Sequence, residues 1–167
     1  MAKTVIDPKK LPSVQWGSAG ILYSKWYPER VQVMLSKCAE LLKRKGFTDI
    51  ESHQVPGALE LPYACQELII SKIDEEEIFD VLICLAIVIR GETDHYEVIR
   101  DTVPPWLMQL SVEFHIPIIN EILFVDNMAL AEARSVDEAG YSSANKGAEA
   151  AAAAIEITYW SHAINEV

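Results

Sequence analysis

Read for hydrophobic and polar positions alone, the chain alternates between short apolar runs and longer amphipathic segments. "AGILYS" (Ala19 to Ser24) has the length and apolar density of a buried strand. From Pro28 onward, Val31, Met34, Leu35, Cys38, Leu41 and Leu42 recur at three- and four-residue steps, which predicts a helix with one apolar face. Pro28 suits its first turn and Gly46 its C-terminal cap. "IESHQVPG" (Ile50 to Gly57) alternates weakly and predicts a second strand, and "ALELPYACQELIISK" predicts a helix with Pro62 in its first turn. "FDVLICLAIVI" is unbroken in hydrophobicity, as strands covered on both faces tend to be. "HYEVIRDTVPPWLMQLSVEFH" predicts a long helix in which Pro104 and Pro105 require a kink or a break. "IPIINEILFV" predicts a fourth strand and "ALAEARSV" a helical turn or two. "NKGAEAAAAAIEITYWSHAI" predicts a final helix carried by alanine propensity.

Strands alternating with helices in the order β-α-β-α-β-α-β-α-α imply βαβ crossovers and a parallel sheet. The expected fold is a three-layer α/β/α sandwich on a four-stranded parallel sheet. Residues 1–167 are read as one domain, with 1–16 as an irregular arm carrying Pro8 and Pro12. In such sheets ligands bind beyond the carboxyl ends of the strands. Trp26, the 57–60 and 91–95 segments and the residues after Val125 all fall at those ends.

Composition narrows the function classes. Half of the 167 residues are hydrophobic and 23% are charged, the balance of a folded globular chain. The formal net charge is −11, from 25 acidic and 14 basic residues, a field that repels nucleic acid and anionic membrane. An anionic small substrate stays compatible where local cations or backbone amides outweigh that field. Cys38, Cys65 and Cys84 show no CxxC or His-rich spacing, so core thiols in a reducing compartment are expected rather than disulfides or a metal site. No apolar run approaches the roughly 18 residues of a membrane span, and the expectation is a cytoplasmic protein.

The segment "RGETDHYEVIRD" (90–101) poses the chemical question, because a strand-to-helix connection needs Gly or a capping Thr but no histidine. Gly91, Glu92 and Thr93 are read as the opening of the helix, where free amides and the dipole favour an anion. The competing reading is a tight turn at Gly91 and an N-cap at Thr93. His95 is either an exposed helix-start histidine or an acid/base group whose unperturbed pKa, about 6.5, suits proton transfer near neutrality.

Four motifs, in order, resemble those of the lumazine synthase family: "SKWYPE", "VPGALELP", "VIRGETDHYE" and "NKGAEAAAAAIE". The likeness runs from about Gly20 to Ile164. It implies a flavodoxin-like fold and a transferase of riboflavin biosynthesis. Such enzymes condense 5-amino-6-(ribitylamino)uracil with 3,4-dihydroxy-2-butanone 4-phosphate, giving 6,7-dimethyl-8-ribityllumazine, phosphate and two waters. No metal or organic cofactor is implied. The implied assembly is a homopentamer with active sites between subunits, and riboflavin synthase is a functional partner.

The resemblance also implies residue roles. His95 becomes the general acid/base. Trp26 stacks on the heterocycle, and Ala58, Leu59, Val88 and Ile89 meet the pyrimidine, with Glu60 at the ribityl chain. Gly91, Glu92 (through its amide alone) and Thr93 hold phosphate with Arg134. A shorter-loop register would put Glu138 in place of Arg134, an acidic phosphate site that makes little electrostatic sense. Lys146 is a further candidate for phosphate or ring, although a lysine at a helix start is unfavourable to the dipole without an anionic partner. Leu59 and Asn120 stand where many members carry Phe, and Phe124 and Val125 replace small hydroxyl residues. These departures leave room for a pentameric relative that binds a lumazine or flavin without making one. A shell protein is a third reading. The long segment "RSVDEAGYSSANKG" and the acidic surface imply a free pentamer rather than a capsid.

Overall fold

The structure is a computed structural model that describes residues 5–165. Four strands, β1 (Gly17–Ser24), β2 (Phe47–Val55), β3 (Val81–Ile89) and β4 (Ile118–Val125), form one parallel sheet in the order β2-β1-β3-β4. Between and after them run helices α1 (Pro28–Arg44), α2 (Leu61–Asp74), α3 (His95–Phe114), α4 (Met128–Arg134) and α5 (Lys146–Asn165). The expected flavodoxin-like sandwich is therefore the fold observed. Residues 1–4 of the expected arm lie outside the described residues. The rest of that arm is tied down: Val5 bridges Ser142, and the buried Lys45 ammonium donates to the carbonyls of Pro8 and Leu11 at 3.0 and 2.6 Å.

The unbroken hydrophobicity of β3 has a two-sided cause. Val81, Ile83, Leu85 and Ile87 join one core with α1 and α5, while Leu82, Cys84, Ala86 and Val88 join the other with α2 and α3. Successive side chains of a strand point to opposite faces, so a central strand must be apolar at every position. On the first face α5 presents Ala148, Ala150, Ala151 and Ala154, all fully buried, and these small residues let α1 come close. The approach is tightest at Gly147, where an added Cβ would lie 1.9 Å from the Met34 carbonyl oxygen.

Two sequence expectations are corrected. The second strand begins at Phe47, three residues before Ile50, because Phe47 is buried against Gly17 and pairs with it. Helix α3 runs through Pro104 and Pro105 without a break. Val103 and Leu107, flanking the prolines, are buried against the sheet, and this packing offsets the backbone bonds that proline cannot make. Gly46 follows α1 with φ +100, and a Cβ there would meet the Val14 carbonyl oxygen at 1.8 Å, so both conformation and space demand glycine.

Candidate active site

The strand order reverses its direction of travel across the sheet between β1 and β3, the switch point at which open α/β sheets bind ligands. A cleft of about 400 Å³ opens at their carboxyl ends. Its walls come from four elements: Trp26 after β1, Gly57 to Glu60 after β2, Val88 and Ile89 at the end of β3, and His95 at the start of α3. Trp26, Ala58, Leu59, Glu60, Val88, Ile89 and His95, separated by up to 69 positions in sequence (95 − 26), thus line one concave surface.

Local backbone explains how these side chains are held. Tyr27 precedes Pro28 in the left-handed region, at φ 54 and ψ 54, and its carbonyl accepts from the amides of Arg30 and Val31 at 3.0 and 3.1 Å. Such a conformation is costly for a tyrosine, on the order of 1–3 kcal/mol, and strain of this kind gathers at functional sites. Beside it Trp26 is 60% exposed on the cleft wall instead of packed in the core. Across the cleft, Ala58 to Glu60 form a short 3₁₀ turn before α2, so Glu60 occupies the N-cap position of that helix, without a side-chain cap bond, instead of sitting in its first turn. An added Cβ on Gly57 would meet the Glu60 carboxylate at 2.9 Å, with the Trp26 indole nitrogen 3.5 Å away. Glycine there leaves the carboxylate room beside the indole.

The β3–α3 connection differs from expectation. Asp94 is the N-cap residue of α3 and makes no side-chain cap bond, and His95 is the first helical residue. Gly91, Glu92 and Thr93 therefore form an exposed turn before the helix and line neither cavity described here. Thr93 sits one position too early to cap. Gly91 is not required by the turn: its φ lies outside the left-handed region, and an added Cβ would meet nothing within 4 Å. His95 is exposed and makes no hydrogen bond or ion pair among the described residues.

Arg134 and Lys146 lie in a second cavity of about 440 Å³, along the outer edge of β4. Tyr96, Phe124, Val125 and Glu121 share its wall, with the Tyr96 and Phe124 rings packed edge to face at 5.8 Å. Arg134, half-buried in the last turn of α4, has no hydrogen bond or ion pair among the described residues. Glu138 is elsewhere, in the loop before α5, where its carboxylate accepts from the Ser142 hydroxyl at 2.8 Å. Lys146, at the first position of α5, has the anionic partners its place demands: Glu149 at 2.6 Å and Glu121 at 3.5 Å. Burial pushes Glu121 up to about 7, against the pull of Lys146 and with a further push from Glu149. Burial also works against the Lys146 ammonium, but Glu149 and Glu121 outweigh it and hold its pKa above the ordinary lysine value. The sharing is unequal, because Lys146 sits closer to Glu149 and leaves Glu121 partly uncompensated. Asn120 is exposed on β4 and lines neither cavity; its side-chain oxygen accepts from the Ile122 amide at 3.3 Å.

Sequence reasoning missed Arg90 and Glu121. The Arg90 guanidinium stacks 4.2 Å from the Tyr96 ring centroid, pairs with Glu97 and donates to Asp126 at 3.1 Å. It fastens the end of β3 to the first turn of α3 and the end of β4. Only its place directly after a buried strand marked it, since Asp126 lies 36 residues away. Glu121 gave a clearer signal, a carboxylate inside the apolar run "IINEILFV". Among the described residues no group of His, Cys, Asp and Glu is placed to hold a metal ion, and no helix is long and apolar enough to cross a membrane.

The family model for 6,7-dimethyl-8-ribityllumazine synthase matches residues 18–161, which contain every site residue named above. A 6,7-dimethyl-8-ribityllumazine synthase from Burkholderia cenocepacia (strain HI2424) is 33% identical over 150 residues, covering 89% of this chain and 80% of the relative. The protein of the same name from Burkholderia orbicola (strain MC0-3) matches to the same extent. With the motifs, the fold and a match along most of its length in accord, the chain belongs to the 6,7-dimethyl-8-ribityllumazine synthase family.

Proposed function

We propose that the protein condenses 5-amino-6-(ribitylamino)uracil with 3,4-dihydroxy-2-butanone 4-phosphate, forming two carbon–nitrogen bonds and releasing phosphate and two waters. The observation that carries this reading is the single cleft shared by Trp26, the 57–60 turn, Val88, Ile89 and His95. Its apolar walls and exposed indole suit a flat heterocycle. The backbone of Ala58 and Leu59 is offered to the pyrimidine edge and Glu60 to the ribityl hydroxyls. His95 moves protons as amine and ketone join, since nothing among the described residues engages its ring and it can change partners through the sequence.

The phosphate is assigned to the amides of the 91–93 turn together with Arg134. Arginine suits the task because its planar fork can hold two phosphate oxygens at once. Arg134, Lys146 and Asn120 stand away from the cleft of their own chain, so the reading includes a homopentamer in which an adjacent subunit supplies them. The test is to incubate the purified protein with both substrates and follow lumazine absorbance and phosphate release together. Equimolar appearance of the two supports the reading. Tight lumazine binding without turnover would favour the binding-module alternative, which the departures at Leu59, Asn120 and Phe124 allow.

A further inference from the structure

The β4 cavity holds a carboxylate that the proposed chemistry does not use. Glu121 occupies the third-layer face of β4, toward α1 and α5, with only 18% of its side chain exposed. Groups face it from each packed element: Lys146 and Glu149 from α5, the Cys38 thiol from α1, and Arg134 from α4 across the cavity. Tyr96 and Asp126 complete the polar part of the wall, and its β3 neighbour is the apolar Leu85. An anion entering this cavity would find Arg134 without a partner among the described residues, but Lys146 shared between two carboxylates.

We infer that Glu121 is a positioning residue for Lys146 and couples anion binding in the β4 cavity to the uptake of one proton. The inference rests on the reading of Arg134 as an anion-binding cation and deepens it. With Glu121 ionised, Lys146 is drawn to it and a second negative charge faces the incoming anion. With Glu121 protonated, that repulsion is gone and only Glu149 still competes with the ligand for Lys146. Charge interactions inside a cavity of this burial are weakly screened, so the two states differ in affinity.

The sign follows from linkage. Glu121 titrates near 7 in the empty protein. A bound dianion raises that value further, because it adds negative charge nearby and competes for Lys146. Anion affinity is then full below the empty-state value and weakens as pH rises above it, by at most about tenfold per pH unit for one linked proton.

Sulfate is the probe, because it stays a dianion throughout the range while phosphate does not. Binding to the full-length protein is measured by titration calorimetry at several pH values between about 6 and 9, in buffers of different ionisation heat. Wild type should take up close to one proton per sulfate near pH 8, with the dissociation constant rising through this range. Glu121→Gln, nearly the same shape, should bind sulfate with a flat pH profile and almost no proton uptake. Glu149→Gln should keep the uptake but move its window to lower pH, since Glu149 helps to raise Glu121. Sulfate binding by wild type without uptake, or uptake persisting in Glu121→Gln, overturns the inference and leaves the anion site standing. Binding that is absent, or indifferent to Arg134→Ala, overturns the anion site and this inference with it.

Discussion

Gly91→Ala separates folding from function at the turn assigned to phosphate. The position is exposed, its φ lies outside the left-handed region, and a Cβ would have no neighbour within 4 Å. At such a position alanine restricts the unfolded chain without straining the folded one and should stabilise by about 0.4–1 kcal/mol. Gly46 shows the opposite case, with φ +100 and a backbone oxygen 1.8 Å from the added Cβ. On the proposed reading, a glycine that the fold does not require serves close approach of the phosphate to its backbone. The added methyl should then push the phosphate off the Gly91 amide. Losing one hydrogen bond to a charged group costs about 1.5–3 kcal/mol, a roughly ten- to hundredfold fall in kcat/KM for the butanone phosphate. Steady-state kinetics with each substrate varied, and urea midpoints on the same preparation, measure the two quantities. Unchanged kinetics in a protein that folds normally would refute the phosphate assignment. A clear loss of stability would refute the geometry of the turn.

The remaining expectations test other links. His95→Ala should lower the condensation rate roughly a hundredfold or more while leaving the urea midpoint and assembly unchanged, because the ring has no partner among the described residues; lost folding would return His95 to a structural role. Gly147→Ala should cost about 3 kcal/mol or more by urea unfolding, since its Cβ would sit 1.9 Å from the Met34 carbonyl oxygen and backbone cannot step aside; a cost below about 0.5 kcal/mol would contradict the α1–α5 contact. Light scattering at moderate salt should give a free pentamer of roughly five times the 18.7 kDa chain, and a megadalton particle would sink that expectation.

What was legible in the sequence followed from local rules. The apolar period gave the element order, and unbroken hydrophobicity marked β3 as central because both of its faces are covered. The cleft residues were legible because ligands of such sheets gather at strand ends, and motif spacing had already marked the turns there. The start of α3 at His95 was legible but its cap was not, because Thr93 and Asp94 are both acceptable caps by propensity, and Asp94, the N-cap residue, makes no side-chain bond that would single it out. The prolines of α3 misled because propensity counts lost bonds and not the packing of Val103 and Leu107. Arg90 was invisible because its partner Asp126 reaches it only through the sheet. Asn145, the residue before α5, was read as part of the helix; its side-chain oxygen accepts from the amides of Gly147 and Ala148 at 2.9 and 3.2 Å, and so caps it.

The two cavities are chemically incomplete in complementary ways. The cleft at β1 and β3 has an exposed indole, an unengaged histidine and apolar walls, but Lys25 is the only Lys or Arg among its lining residues. Among the described residues the cavity at β4 has an unpaired arginine and a lysine, yet no exposed ring surface comparable to Trp26. A substrate pair that joins a flat heterocycle to a phosphate ester needs both sets of groups at once. Within one chain Arg90 joins the strand ends between them, stacking on Tyr96 and bonding Asp126, which fixes the halves relative to each other and keeps them apart. On the proposed reading completion falls to another copy of the chain, and β4, an edge strand that leaves Asn120 exposed, offers a surface for it.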